Sequence, residues 1–403
     1  AWLSAVAPVK TADGTPVAVF EASMSADILD EARGVFATRA IIGGGSILVA
    51  FLGMLGLFTW FLLRSVKKLQ RGVERVAAGD YDITVAINSR DELEDLGDAF
   101  NGMSKEIKGY IDRLAAFNVA NARFVPKEFL HSLGRETITD IQLGDQILTD
   151  MTVLFSDIRD FTSISERVGP RETITMLNDY LSRMGPAIRA NGGFIDKYIG
   201  DAILALFPGA VETAVDGMMA MMDELDNYKA LLLSQGKPAM ESGFGIHTGP
   251  LMLGIIGETE RFEGTVIADT VNLASRLESL TKYYGVRAVM SGTSVEHLKS
   301  SSRPVRFIDK VQVKGKNQSV SIYELVGKGD PLAEGKLSSS PAYLEAFRQY
   351  AEGDFVKAES GFASIIASVG DDPPTMVNLE RCRRYRRDGA PANWTGVTVF
   401  NQK

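Results

Sequence analysis

The chain has 403 residues, 45% of them apolar and 23% charged, which is room for two or three modules of ordinary globular composition. A formal net charge of −8 without a basic stripe argues against a general nucleic-acid binder, which needs cations to displace phosphate counterions. One cysteine, Cys382, excludes an internal disulfide framework and a multi-cysteine zinc site, and three scattered histidines (His131, His247, His297) speak against a histidine-rich metal centre.

The sequence starts at Ala1 rather than Met and reads as part of a longer protein. In residues 1–40 two apolar runs flank Asp13-Gly14, a hairpin signal, and a polar helix-like stretch follows from Ala26 to Arg39. The pattern resembles the membrane-proximal end of an extracytoplasmic Cache-type sensor, truncated. A plain juxtamembrane hairpin without a ligand fits the same residues. Ile41–Leu63 carries no charge and, as a helix, reaches across a hydrocarbon core of about 30 Å. Arg64, Lys67, Lys68, Arg71 and Arg75 crowd its C-terminal flank, so the positive-inside rule places everything after residue 64 in the cytoplasm, at a cell (inner) membrane. Trp60 suits the interface.

Residues 64–117 hold two helical patterns, SVKKLQRGVERVAAGD and RDELEDLGDAFNGMSKEIKGYIDRL, around a short connector. Leu93, Leu96, Phe100, Met103 and Ile107 recur at spacings of three and four, as a bundle seam requires. The stretch resembles a HAMP linker, which forms a four-helix bundle as a dimer; Val66 stands where that family usually has proline. Within 118–150, the piece FVPKEFL resembles the transducing element that precedes nucleotide cyclase domains.

Residues 151–326 alternate strands and helices. Strands are expected at Met151–Phe155, Gly243–His247, Val305–Val313 and Ser321–Val326, with a hairpin of Phe194–Tyr198 and Ala202–Phe207. Helices are expected at Arg171–Asn191 (one or a pair), Ala210–Leu233 and Asp269–Tyr284. The order predicts an α+β fold, helices over a mostly antiparallel sheet. Asp157 and Asp201 each lie where an apolar strand ends, so both carboxylates reach one rim of the sheet and can hold hard cations through oxygen. Asn272 and Arg276, four apart, share a helix face.

Five stretches, LFSDIRDFTSISE, KYIGDAILALF, GIHTGPLMLGIIG, TVIADTVNLASRLES and VQVKGK, occur in order, and through them the module resembles the class III nucleotidyl cyclases, with their ferredoxin-like catalytic fold. The resemblance implies metal binding by Asp157, Asp201 and the carbonyl of Ile158, with two Mg²⁺ or Mn²⁺ ions per site. It implies phosphate binding by the backbone of Arg159–Ser163 (Phe161, Thr162 and Ser163 ahead of a helix) and by Lys314. Asn272 and Arg276 match the pair that orients ribose and stabilises the α-phosphate, and Lys197 and Thr265 match the purine-selecting positions. A lysine donor to adenine N1 and a threonine hydroxyl suit ATP, with GTP the runner-up; Thr265 in place of the commoner aspartate suggests the class IIIb branch. Ala268 replaces a more usual glycine, and Glu263-Gly264 precede Thr265 on the purine side. The family builds each site from both protomers, which implies a head-to-tail homodimer. A receptor that binds nucleotide without turnover is the alternative from another class.

Other features read as packing. His247 is expected to be a satisfied strand histidine, and Met218, Met219, Met221 and Met222 to fill a helix interface. The GFGIHTG glycines lack the context of a dinucleotide fingerprint. Residues 327–339 read as a polar linker, and the rest of 327–403 as three helices split at Gly353-Asp354 and Asp371–Pro374, similar to a single tetratricopeptide-type hairpin that needs something to dock on.

Overall fold

A computed structural model describes residues 2–121, 125–299, 303–313, 318–391 and 393–400. The chain divides into two compact units, 1–119 and 120–403.

In the first unit, β1 (Trp2–Lys10) and β2 (Pro16–Ser25) form the antiparallel hairpin that Asp13-Gly14 predicts. Asp13 accepts from the hydroxyls of Thr11 and Thr15, which holds its carboxyl down at about 2. Ser25 then caps α1 (Ala26–Ala77), an unbroken helix of 52 residues that merges the polar stretch, the apolar span and the first half of the HAMP-like segment. Its portion from Asp30 is long and apolar enough to cross a membrane. Arg64 sits over the ring of Trp60 at 5.4 Å. After the turn at Gly79-Asp80 an extended connector leads to α2 (Glu92–Asn121). Alternate connector residues Ile83, Val85 and Ile87 bury their side chains with Phe100 of α2, while Leu69 and Val76 of α1 and Leu93 pack around them. Asn101 fixes the connector by accepting from the Val85 N–H (2.8 Å) and donating to the Val85 carbonyl (3.0 Å). Of the predicted seam, Leu96 and Met103 stay exposed on this single chain.

The second unit opens with the short α3 (Lys127–Ser132), whose Phe129 is buried against the sheet. The large sheet then takes β3 (Gln146–Ile158), β4 (Phe194–Ile199), β5 (Ala202–Phe207), β6 (Ser242–Glu258), β7 (Arg261–Ile267), β8 (Ala288–Ser291), β9 (Val305–Val313) and β10 (Val320–Leu325). A last strand, β11 (Thr398–Phe400), comes from the tail. The order is β11-β9-β10-β8-β6-β3-β5-β4, with β7 paired to β6. The pairs β6–β8 and β9–β11 are parallel and the others antiparallel, so the sheet is mixed but mostly antiparallel, as expected. On one face lie α4 (Phe161–Val168), α5 (Pro170–Ala190) and α6 (Val211–Ser234). Met218, Met221 and Met222 are fully buried there, as their sequence cluster implies. The helix expected from Arg171 is single, with Pro186 accommodated inside it. The strand expected at Met151–Phe155 runs on to Ile158, so Asp157 belongs to the strand rather than to the loop beyond it.

Helix α7 (Asp269–Tyr284) lies across β6, followed in chain order by α8 (Gly292–Glu296). The close approach explains two of the glycines: a Cβ at Gly245 would fall 2.2 Å from the Ala274 carbonyl oxygen and 2.4 Å from the Glu278 nitrogen. At Gly243 it would meet the Glu278 carboxyl at 2.3 Å. His247 is buried, with Nδ1 2.7 Å from the Ser291 hydroxyl.

The tail contains α9 (Ala333–Ser338), α10 (Ser340–Ala351), α11 (Phe355–Val369) and α12 (Pro373–Asp388). Three of these are the expected helices. The expected linker 327–339 is instead partly helical and docked: Lys336 is buried and pairs with Glu324 of β10 at 2.9 Å. Arg306 of β9 completes the cluster, bonded to Glu324 (2.7 Å) and to Asp372 (2.6 Å). The tail core of Tyr343, Phe347, Tyr350, Phe362 and Cys382 packs against Phe307 of β9, so the docking surface is the large sheet of the same chain.

Gly245→Ala forces a methyl into helix backbone that cannot yield without moving α7, a cost of about 1–3 kcal/mol for overpacking. The variant is expected to melt several degrees below the parent, and an unchanged melting temperature would show that α7 is not held this tightly.

Candidate active site

The hairpin β4–β5 turns through Gly200-Asp201, with Gly200 at φ +66°, and places Asp201 beside the end of β3. There Asp157 and Asp201 are close enough to share a hydrogen bond. Burial, then the negative charge of Asp201, pushes the Asp157 carboxyl up to about 6. Among the described residues no group of three or more His, Cys, Asp and Glu side chains is placed to hold a metal ion by itself. The protein therefore offers a pair of carboxylates and not a closed cage. Oxygen donors with open positions suit Mg²⁺ or Mn²⁺ shared with phosphate.

Behind them α4 starts at Phe161, so the N–H groups of Phe161, Thr162 and Ser163 form its first turn, the positive end of a helix. Asp160 turns the chain into this helix with φ 53° and ψ 32°, a left-handed conformation that aspartate adopts more readily than most residues. Its carboxylate is held by Lys282 at 2.7 Å.

On α7 the residues divide cleanly by face. Asn272, Arg276, Ser279 and Tyr283 lie outward, and Leu273, Leu277, Glu278 and Thr281 inward. The predicted pair thus shares a face, and Arg276 has no hydrogen-bond or ion-pair partner among the described residues. Lys197 of β4 and Thr265 of β7 are brought together, with Nζ donating to the threonine hydroxyl at 3.3 Å. Lys314 lies outside the described residues.

Four acidic residues at the site were not singled out by sequence reasoning in these roles. Glu263 takes an ion pair with Lys197 at 2.9 Å; it sits two residues before Thr265, and the period-two pattern of a strand is the signal that both face one way. Asp196 is buried beside Lys197, and burial pushes it up to about 6. Asp160, paired with Lys282, is the third. Glu278, turned under α7 into the space left by Gly243, is pushed up to about 7 by burial and by the charge of Asp157, against the opposing pull of Arg159. Nothing in sequence marks a helix glutamate as buried.

An antiparallel-rich sheet under helices, with paired acids at its rim and a polar pair on an outward helix face, is the arrangement of a class III nucleotidyl cyclase domain. The family description "Adenylate and Guanylate cyclase catalytic domain" matches residues 144–327, and "HAMP domain" matches residues 57–109. The chain belongs to the class III cyclase family through the first of these segments and carries a HAMP domain in the second. It is 41% identical over 268 residues to an adenylate cyclase of Anabaena cylindrica, covering 64% of this chain and 53% of that one. It is 36% identical over 271 residues to the terminal-differentiation-specific adenylate cyclase of Dictyostelium discoideum, covering 65% and 13%. The chain thus spans about half, or far less, of the length of these relatives. A solved adenylyl cyclase from P. aeruginosa is 31% identical, covering 45% of this chain and 96% of that one, with a TM-score of 0.41.

The raised Glu278 carboxyl makes a pH prediction. Its folded pKa exceeds its unfolded one, so the folded state holds the proton more tightly, and stability falls as pH rises from the ordinary carboxylate range through about 7. Glu278→Gln, which mimics the protonated form, is expected to gain melting temperature over the parent from pH 5 to pH 8 in the absence of divalent cations. The same offset at both pH values would contradict the buried charge.

Proposed function

We propose that the protein is a membrane-anchored adenylyl cyclase, converting ATP to 3′,5′-cyclic AMP and pyrophosphate at composite sites between two copies of the chain. The ribose 3′-oxygen attacks the α-phosphorus as the bond to pyrophosphate breaks, and the hydroxyl proton leaves. The observation that carries the reading is the pairing of Asp157 with Asp201 at the sheet rim; the carbonyl of Ile158 would supply a third oxygen donor. Divalent ions held there would lower the pKa of the 3′-hydroxyl and neutralise charge on the leaving oxygens. The first turn of α4 cradles the phosphates, and Lys314 adds a cation. Arg276, unpaired among the described residues and fork-shaped, suits the charge that grows on the α-phosphate of a partner's site, with Asn272 holding the ribose. The outward orientation of this pair supports a site completed by a second copy.

Lys197 and Thr265 favour adenine, one donating to N1 and the other meeting the N6 amine. The adenylate cyclase names of the relatives point the same way. Glu263 beside Lys197 is the specific observation in favour of guanine, since a carboxylate can accept from guanine N1 and N2. The candidate membrane span and the HAMP domain support regulation by a signal passed along α1, with the catalytic domain cytoplasmic at the inner membrane.

Purified protein with ATP or GTP and Mg²⁺ or Mn²⁺ is expected to give cyclic AMP as the dominant product on chromatography. Asp157→Ala and Asp201→Ala should each lose at least a hundredfold in turnover, while a mixture of Asp201→Ala and Arg276→Ala chains regains part of it. Normal turnover in either aspartate variant would remove the metal assignment. Lys197→Glu combined with Thr265→Cys should lower the ATP/GTP preference at least tenfold, and an unchanged ratio would take these two residues out of base reading.

A further inference from the structure

Both elements that carry the partner-facing half of the site are gripped by the C-terminal tail. Arg381 of α12 is 5% exposed and lies over the rings of Tyr283 and Tyr284, at 5.5 and 5.7 Å, at the last turn of α7. Its Nη2 donates to both tyrosine hydroxyls at 3.2 Å, and its Nη1 pairs with Asp309 of β9. Asp309 is wholly buried and also accepts from the hydroxyls of Tyr284 and Thr398, so one carboxylate joins helix, sheet and tail. Phe400 sets its ring edge-on to Tyr283 at 5.0 Å. Strand β11 pairs in parallel with the end of β9, Thr398 with Val311 and Phe400 with Val313, the residue that precedes Lys314 in sequence. Pro373, the first residue of α12, crowds Gly285, the C-cap of α7. Val377 and Phe400 add to the core that holds the inward face of α7 through Leu273 and Leu277.

We propose that the tail is a positioning clamp on α7 and β9, with Arg381 the positioning residue that sets the pose of Asn272 and Arg276 in the composite site. The clamp rests on the shared-site reading above. Arg381 touches no substrate; it acts through Tyr283 and Tyr284, about two turns along the same helix from Arg276 and about three from Asn272. A guanidinium is needed because one planar fork meets a carboxylate and two hydroxyls at once. A helix end displaced by a fraction of an ångström is carried along a rigid helix to Arg276, and transfer at the α-phosphate is sensitive to misplacement on that scale.

The test uses full-length chains in mixed dimers. When an Asp201→Ala chain pairs with an Arg276→Ala chain, the one whole site draws its acids from the Arg276→Ala chain and its α7 from the Asp201→Ala chain. Arg381→Lys keeps a cation on Asp309 and so spares the fold, yet loses the fork; Phe400→Ala is a second, uncharged way to loosen the clamp. Placed on the Asp201→Ala chain, each is expected to lower kcat at least threefold with little change in KM for ATP. Placed on the Arg276→Ala chain, each is expected to leave the live site unchanged. Loss of equal size from either chain, or from neither, overturns the clamp while the shared site stands. An inactive mixture of the two parent variants overturns the shared site and the clamp together.

Discussion

Two carboxyl groups held side by side repel each other, and the catalytic unit is built to keep them together regardless. Asp157 is next to last in a thirteen-residue strand paired on both sides, and Asp201 stands in the turn of a hairpin whose second strand is wholly buried. Neither backbone can relax away, so the repulsion is relieved by a proton on Asp157 or by a cation. Glu278 lies close enough to feel both charges, which deepens the local excess of negative potential. The cost to the metal-free fold is the counterpart of affinity for divalent ions.

The same strands set where the other half of the site lies. By dispensing with side chains at Gly243 and Gly245, β6 lets α7 settle onto the sheet, and only then do Asn272 and Arg276 project outward while Glu278 turns in. The helix therefore has two chemical faces, one packed on the sheet of its own chain and one turned outward. Its far end is tied by Arg381 and Phe400 to a segment remote in sequence.

Much of this arrangement was legible in the residues, for physical reasons that also explain the gaps. Apolar runs broken by Gly200-Asp201 admit few structures besides a hairpin, and Asp269–Tyr284 carries a period that only a helix satisfies. Strand β8 has four residues and β11 three, too few for any period to register, and both depend on partners far along the chain. The polar stretch, the apolar span and the first HAMP-like helix run together as α1, since no proline between Ala26 and Ala77 stops a helix once it has started. At the site, strand-end aspartates announce themselves, whereas Glu263 acquires meaning only from Lys197, 66 residues away, and Glu278 only from the missing side chain opposite. Polarity misled at residues 327–339: Lys336 looks like a solvated linker residue and is buried among carboxylates.

That buried cluster separates the unit of kinship from the unit of folding. The cyclase match ends at residue 327, yet Arg306 and Glu324 inside it find their counter-charges at Asp372 and Lys336 outside it. Strand β9 likewise keeps an uncovered edge until Thr398–Phe400 arrive. During synthesis the sheet must wait for the last helices to leave the ribosome before its ionic interior is neutral, and until then the nascent domain exposes a sticky border that chaperones are suited to shield.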